Sequence, residues 1–183
     1  MSTILDSVPT QIAVPFGLIV ITHHESVMLE ETPRTVVLRE DTFTPNVLTE
    51  IEICPTGEER RSVLLLWNRQ SVARGMALLY HPTTKILFVG AETIAAAVHL
   101  ESGKVIGAHT VALFWSFQQA GGFVVELGEV ECFLRAATGE LLGQASVDPP
   151  YEMFETSEGI LFESPAMGRQ WLRFPKVNER PGT

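Results

Sequence analysis

Lysine is nearly absent from this chain. Lys85, Lys104 and Lys176 are the whole supply, and no Lys or Arg precedes Arg34. With 22 acidic residues against 13 Lys and Arg, the net charge is −9. Proteins hold a nucleic-acid backbone by neutralising phosphates with Lys and Arg, and anionic lipid surfaces ask for the same residues. This composition therefore excludes both as partners and favours a basic protein. The basic n-region of a secretory signal is missing, so a soluble cytoplasmic protein is expected. Long hydrophobic runs are missing as well: "IAVPFGLIVI" (12–21) is too short to span a bilayer and is interrupted by Pro15 and Gly17. Cysteine is scarce, with Cys54 and Cys132 alone. A chain of 183 residues can bury roughly 70% of its unfolded surface without cross-links, so reduced thiols are the expectation. There is no Gly-rich phosphate loop, nucleophile elbow, Cys-x-x-Cys or dinucleotide-binding fingerprint. No cofactor and no catalytic residue is expected, and an enzyme is disfavoured.

What the sequence does contain is strand-like patterning. Hydrophobic content is 45%, and short aliphatic runs recur about every ten residues between Gly, Pro, Asp and Thr clusters. "GLIVIT" (17–22), "SVMLE" (26–30) and "RTVVLRE" (34–40) form a first group. "VLTEIEIC" (47–54) alternates, placing Ile51 and Ile53 on one face and Glu50 and Glu52 on the other. "PTGEERR" (55–61) reads as a hairpin loop, and "SVLLLWN" (62–68) as a strand covered on both faces. For "NRQSVARGMALLYHP" (68–82), a loop followed by a strand is expected.

From residue 85 a repeat takes over. "LFVGAETIAAAVHLESGKVIG" (87–107) aligns without a gap on "FVVELGEVECFLRAATGELLG" (123–143), a spacing of 36 residues. The alignment pairs Val89 with Val125, Val98 with Leu134, Gly103 with Gly139 and Gly107 with Gly143. "AETIAAAVHLESG" alone suits a helix ending at Gly103, but its mate "GEVECFLRAATG" alternates and is β-branched and aromatic. Equivalent units share a conformation, so both are expected to be strands, with Ser/Thr-Gly at hairpin turns where Gly supplies positive φ. A degraded third copy begins at "GILFES" (159–164), with "QWLRF" (170–174) as its second strand.

These two segments resemble blades of β-propellers of the quinoprotein (PQQ) type, and "YHPTTKILFVG" (80–90) is similar to the entry of WD-type blades. The resemblance covers about 76–164 and implies repeated antiparallel units. Leu100 and Ala136 stand where the family has Asp before the turn, and Gly107 and Gly143 where it has Trp, so geometry carries over and quinone chemistry does not. The expected fold is all-β: roughly a dozen short antiparallel strands in stacked sheets or an incomplete propeller-like array. It forms a single domain over 1–183, with a possible subdivision into 1–68 and 69–174 and a flexible tail at 175–183.

Candidate sites are few. "THHES" (22–26) offers His23, His24 and Glu25 as metal ligands, but neighbouring His on a strand point to opposite faces, and a polar hairpin turn is the simpler reading. His99 and His109 flank one hairpin that could bring them together, though structural histidines are expected. Glu126, Glu129 and Glu131 form a carboxylate cluster, read as a solvated strand face that suits a basic partner. Trp115 sits in "ALFWSFQQAGGF" (112–123), where simple alternation sets Phe114 and Ser116 opposite Trp115 and Phe117. An exposed Trp beside carboxylates is a binding hot-spot candidate, while a strand buried on both faces is the more ordinary outcome. The function expected is a non-enzymatic, acidic protein-binding module, immunity-like (antitoxin-like) or scaffolding. The alternatives are a metal-dependent enzyme on His23, His24 and Glu25, or a small-ligand β-barrel with Trp67 or Trp115 in its pocket.

Overall fold

The structure, a computed structural model, describes residues 10–14, 17–24, 35–39, 44–57, 59–68 and 76–175. The segment "SVMLE", Glu25, the loop at 69–75 and the tail from 176 lie outside the described residues. Within them the chain is all-β, with four antiparallel sheets apart from one parallel pair, and none closes into a barrel.

The first sheet has five strands: β1 (Thr10–Val14), β2 (Gly17–His24), β3 (Thr35–Arg39), β4 (Val47–Pro55) and β5 (Arg61–Trp67), in the order β1-β2-β4-β5-β3. Strand β3 runs parallel to β5. Along β4, Thr49, Ile51 and Ile53 are fully buried while Glu50 and Glu52 are half-exposed, as alternation requires. The β4–β5 connection is the expected hairpin.

The second sheet is a meander of β6 (Ala77–His81), β7 (Ile86–Ala91), β8 (Ile94–His99) and β9 (Lys104–Thr110). The alanine run Ala95–Ala97 is strand, not helix, and is fully buried in the middle of the sheet, where small side chains let neighbouring sheets approach on both faces. The third sheet repeats that order with β10 (Phe114–Ala120), β11 (Phe123–Gly128), β12 (Glu131–Ala136) and β13 (Leu141–Ser146). The fourth has three strands: β14 (Glu152–Thr156), β15 (Gly159–Ser164) and β16 (Gly168–Arg173).

The 36-residue spacing holds at the glycines. Gly107 pairs with Ala97 and Gly143 with Leu134, each beside a bulge. The strands before that bulge follow at 37, since β7 and β11 start at 86 and 123, and β8 and β12 at 94 and 131. In pairing register the β12–β13 turn is therefore one residue tighter than β8–β9, since Val98 pairs with Val105 but Arg135 with Leu141. Because side chains alternate with period two, this slip changes which residues are equivalent. The counterpart of Val89 is Glu126 rather than Val125, and that of Val98 is Arg135 rather than Leu134.

The sheets stack in chain order, each joined to the next by a buried cluster. Ile51, Ile53, Val63 and Leu65 of the first sheet meet Leu87, Val89, Ala96 and Val98 of the second. Phe88 and Ala97 of the second meet Val124 of the third, and Ala95 meets Phe114 and Phe133. Gly90 faces the Phe114 ring so closely that any Cβ there would collide with it. Between the third and fourth sheets, Val125, Leu127, Cys132 and Leu134 pack against Ile160, Phe162 and Leu172. Cys54 and Cys132 are both free, in the first and third sheets respectively.

Candidate functional site

His23 and His24 continue strand β2 rather than forming a turn, because their partners Thr49 and Leu48 extend β4 alongside them. The two rings leave opposite faces, as strand geometry demands. Thr49 Oγ1 accepts from Trp67 Nε1 at 2.9 Å and lies 2.8 Å from His23 Nδ1, so one buried hydroxyl serves a tryptophan and a histidine. His24 turns instead to Glu50, 3.9 Å away. Among the described residues no group of three His, Cys, Asp or Glu converges on a metal-sized site. Trp67, a proposed pocket residue, is only 2% exposed within the core between the first two sheets.

The carboxylate cluster divides. Glu126 does not belong to a solvated face: it is fully buried between the second and third sheets, where Arg135 Nε donates to its Oε2 at 3.0 Å. Arg135 is buried too, donating from one terminal nitrogen to Gly139 O at 2.9 Å. Its other terminal nitrogen lies 2.7 Å from His109 Nδ1. A guanidinium has only donors, so His109 Nδ1 accepts and the ring proton sits on Nε2. Nε2 lies 2.9 Å from Glu126 Oε1, but the approach is too bent for a hydrogen bond. The ring of Phe133 closes over His109 at 4.4 Å. Gly107 leaves the space the guanidinium occupies, since a Cβ there would come within 3.2 Å of Arg135. This group joins three strands of two sheets and fills the position held by Val89 and Val98 one sheet earlier. It is a structural clamp. His109 and His99 do not meet; His99 Nδ1 lies 3.0 Å from Ser102 Oγ in its own turn.

Glu129 and Glu131 stand half-exposed at the β11–β12 turn. Glu131 accepts from the Ala112 amide and from Gln144 Nε2, both at 2.8 Å, which ties it to the edge strand β13.

Trp115 does not share a face with Phe117 in simple alternation. A bulge between Phe114 and Ser116 inserts one residue, so Phe114 and Phe117 both point to the second sheet, with ring centroids 4.8 Å apart. Trp115 is left on the other side, stacked on Tyr151 at 5.3 Å and half-buried against the fourth sheet. It is a packing residue with a partly open edge. Tyr151 donates to Gly128 O at 3.0 Å, and the Cys132 thiol lies 3.7 Å from its hydroxyl. Burial pushes the ionisation of both Tyr151 and Cys132 upward, and the close approach of the two groups adds to the shift at Tyr151.

Two surfaces went unmarked in the sequence. The first is strand β13, the edge of the third sheet, where Leu141 and Leu142 are 49% and 40% exposed. The gap-free repeat alignment sets them on Val105 and Ile106, and the bulge beside Gly143 and the edge position leave both at the surface. The second is the outer face of the fourth sheet. There Phe154, Leu161 and Trp171 lie directly opposite one another across three strands. The charged end of this face opens into a groove of about 510 Å³ walled by Pro150, Tyr151, Glu152, Glu163, Pro165 and Arg169.

No protein-family model matches the chain, and no curated protein matches it in sequence.

Proposed function

We propose that this chain is a non-enzymatic, acidic protein-binding module that receives a basic protein partner along the edge strand β13. The observation that carries the reading is the exposure of Leu141 and Leu142 on a strand whose outer backbone edge is unpaired among the described residues. Exposed paired aliphatics on an open edge are what a β-strand from a partner can cover, its main chain completing the ladder. Glu140 precedes the leucine pair that opens the strand and Glu131 pairs opposite its other end at Ser146, so a carboxylate stands near each end of the edge. On a chain of net charge −9 this arrangement suits basic side chains and hastens their approach. The stacked meanders fit a propeller-like array used as a rigid support, and the free thiols fit a cytoplasmic setting. An immunity-like (antitoxin-like) protein or a scaffold is the concrete form.

The test is capture from the native host with the wild-type chain and with Leu141→Lys/Leu142→Lys, which puts like charge on the edge. A basic protein recovered in stoichiometric amount by the wild type and lost with the variant is expected. Recovery of no such partner, or of one indifferent to the variant, contradicts the reading. The groove of about 510 Å³ at the fourth sheet favours a second reading, a small-ligand site, because it lies within the usual size of ligand pockets. Trp115, stacked on the groove residue Tyr151, would report a bound ligand by its fluorescence, and no change across a metabolite panel removes this reading.

A further inference from the structure

A second groove, of about 230 Å³, lies where the ends of β6 and β14 meet the β10–β11 turn. Its walls are His81 from β6, Gln119, Gly121, Gly122 and Phe123 from the β10–β11 hairpin, and Glu155 from β14. It shares no residue with the larger groove of the fourth sheet. It also sits on the β10 edge of the third sheet, opposite the β13 edge. Gly121 and Gly122 carry no side chains, and a Cβ at Gly122 would meet nothing within 4 Å, so the groove passes openly over the turn.

The polar side chains of these walls offer acceptors. Thr84 Oγ1 gives its single hydrogen to Ala137 O at 2.6 Å. His81 Nδ1 lies 2.9 Å from the same oxygen and must therefore donate to it, which leaves the lone pair of the neutral ring on Nε2. That nitrogen has no partner among the described residues. Glu155 Oε1 accepts from the Gly121 amide at 2.9 Å, while Oε2 has no partner among the described residues. The exposed Gln119 amide can turn its oxygen to a donor as a third acceptor. Among the described residues no Lys or Arg lines the groove, and Phe123 adds aromatic surface.

We propose that this groove binds the head of a small organic cation, an alkylammonium or alkylguanidinium group. Glu155 supplies the counter-charge, His81 Nε2 and Gln119 accept N–H bonds, and the alkyl stem lies along Phe123 and the glycine turn. Hydrogen bonds from a cation to a carboxylate are the strong kind, and a chain of net charge −9 draws cations to it. The volume falls below the ~300–1,000 Å³ of pockets for larger ligands, so a group the size of one basic side chain fits. A transition-metal ion suits the groove less well, because such ions are held by at least about three protein side chains of the His, Cys or carboxylate kind and only His81 and Glu155 qualify. An anion would meet the Glu155 carboxylate with no wall cation to offset it.

The experiment is a titration of the full chain with n-butylammonium, followed in proton–nitrogen correlation spectra at the Gly121 and Gly122 amides. Saturable shifts of these amides are expected, with a dissociation constant of ~1 mM for so small a ligand. n-Butanol, of the same chain length without the charge, leaves them in place. Glu155→Gln keeps an acceptor for the Gly121 amide but removes the charge, and His81→Phe removes the Nε2 lone pair. Each weakens binding by about 10-fold, in a spectrum otherwise like that of the wild type. A blocked pentapeptide with a central lysine separates the sources. Binding at least as tight as that of the free amine marks a side chain of another protein, binding of n-butylammonium alone marks a free amine, and both support the site. Unmoved glycine amides overturn the proposal, as do shifts that n-butanol reproduces or an affinity unchanged in both variants. Zinc bound at these amides that n-butylammonium fails to displace overturns it too. None of these outcomes bears on capture through Leu141 and Leu142, on the opposite edge of the sheet.

Discussion

Replacing Arg135 by methionine keeps most of the side-chain volume and removes the charge that compensates Glu126. The arginine side chain is 1% exposed and the carboxylate 0%, so the anion left behind has no access to water. Breaking a buried pair in this way costs about 3–5 kcal/mol, a large part of the ~5–15 kcal/mol that holds an ordinary domain together. For a chain of this size that lowers the melting temperature by roughly 6–20 °C. Glu126→Leu, which strands the guanidinium instead, is expected to cost a similar amount. The double variant behaves differently. One sheet earlier the equivalent positions hold Val89 and Val98, and one sheet later Phe162 and Leu172, all of them buried and apolar. An apolar pair therefore fits the architecture, and removing both charges leaves mainly the Gly139 carbonyl and His109 to find new partners, about 1–3 kcal/mol. Urea unfolding followed by circular dichroism gives the cycle, with a coupling of several kcal/mol expected. Single variants costing less than about 1 kcal/mol, or a double variant equal to their sum, would refute the clamp.

Three other outcomes follow from the packing and the hydrogen bonds. Gly90→Ala drives a methyl into the Phe114 ring and is expected to destabilise by about 1–3 kcal/mol or more, read from the same unfolding curves; a neutral result contradicts the close contact of the second and third sheets. Thr49→Val removes the oxygen shared by Trp67 and His23 and is expected to cost about 1–3 kcal/mol with a shift in tryptophan emission, whereas unchanged emission argues against that hydrogen bond. Cys132 and Tyr151 both ionise at higher pH folded than unfolded, because burial opposes their anions. Their contribution is therefore complete below the unfolded values near ~8.5 and ~10 and is lost as pH rises above them, at up to ~1.4 kcal/mol per pH unit for each group. Tyr151→Phe is expected to flatten the upper part of that decline, and an unchanged slope between those values and higher pH would show that Tyr151 is not its source.

Much of the fold was legible because strands in stacked sheets carry strong local patterns. Glu50 and Glu52 alternate with Ile51 and Ile53, and the alanine run at 95–97 could be assigned as strand from its repeat mate despite its helix propensity. What could not be read depended on single insertions. The bulge at Trp115 and the shorter β12–β13 connection each shift alternation by one residue, and neither carries a glycine or proline signal of its own kind. The site suffered most from this. Glu126 sits in an acidic stretch that resembles a solvated face, and its burial is explained only by Arg135 nine residues on and His109 from another sheet. The rows Phe154–Leu161–Trp171 and Glu152–Glu163–Arg169 are invisible until three strands fix their register. The hairpin β1–β2 was hidden inside one apolar run, whose breaks at Pro15 and Gly17 were used only to argue against a membrane span.

Amide hydrogen exchange on the captured complex tests the docking role of strand β13 most directly. The prediction is new protection of the edge amides between 141 and 146, with the buried strands β11 and β12 unchanged. Protection confined to other segments, with β13 exchanging as in the free chain, would contradict it.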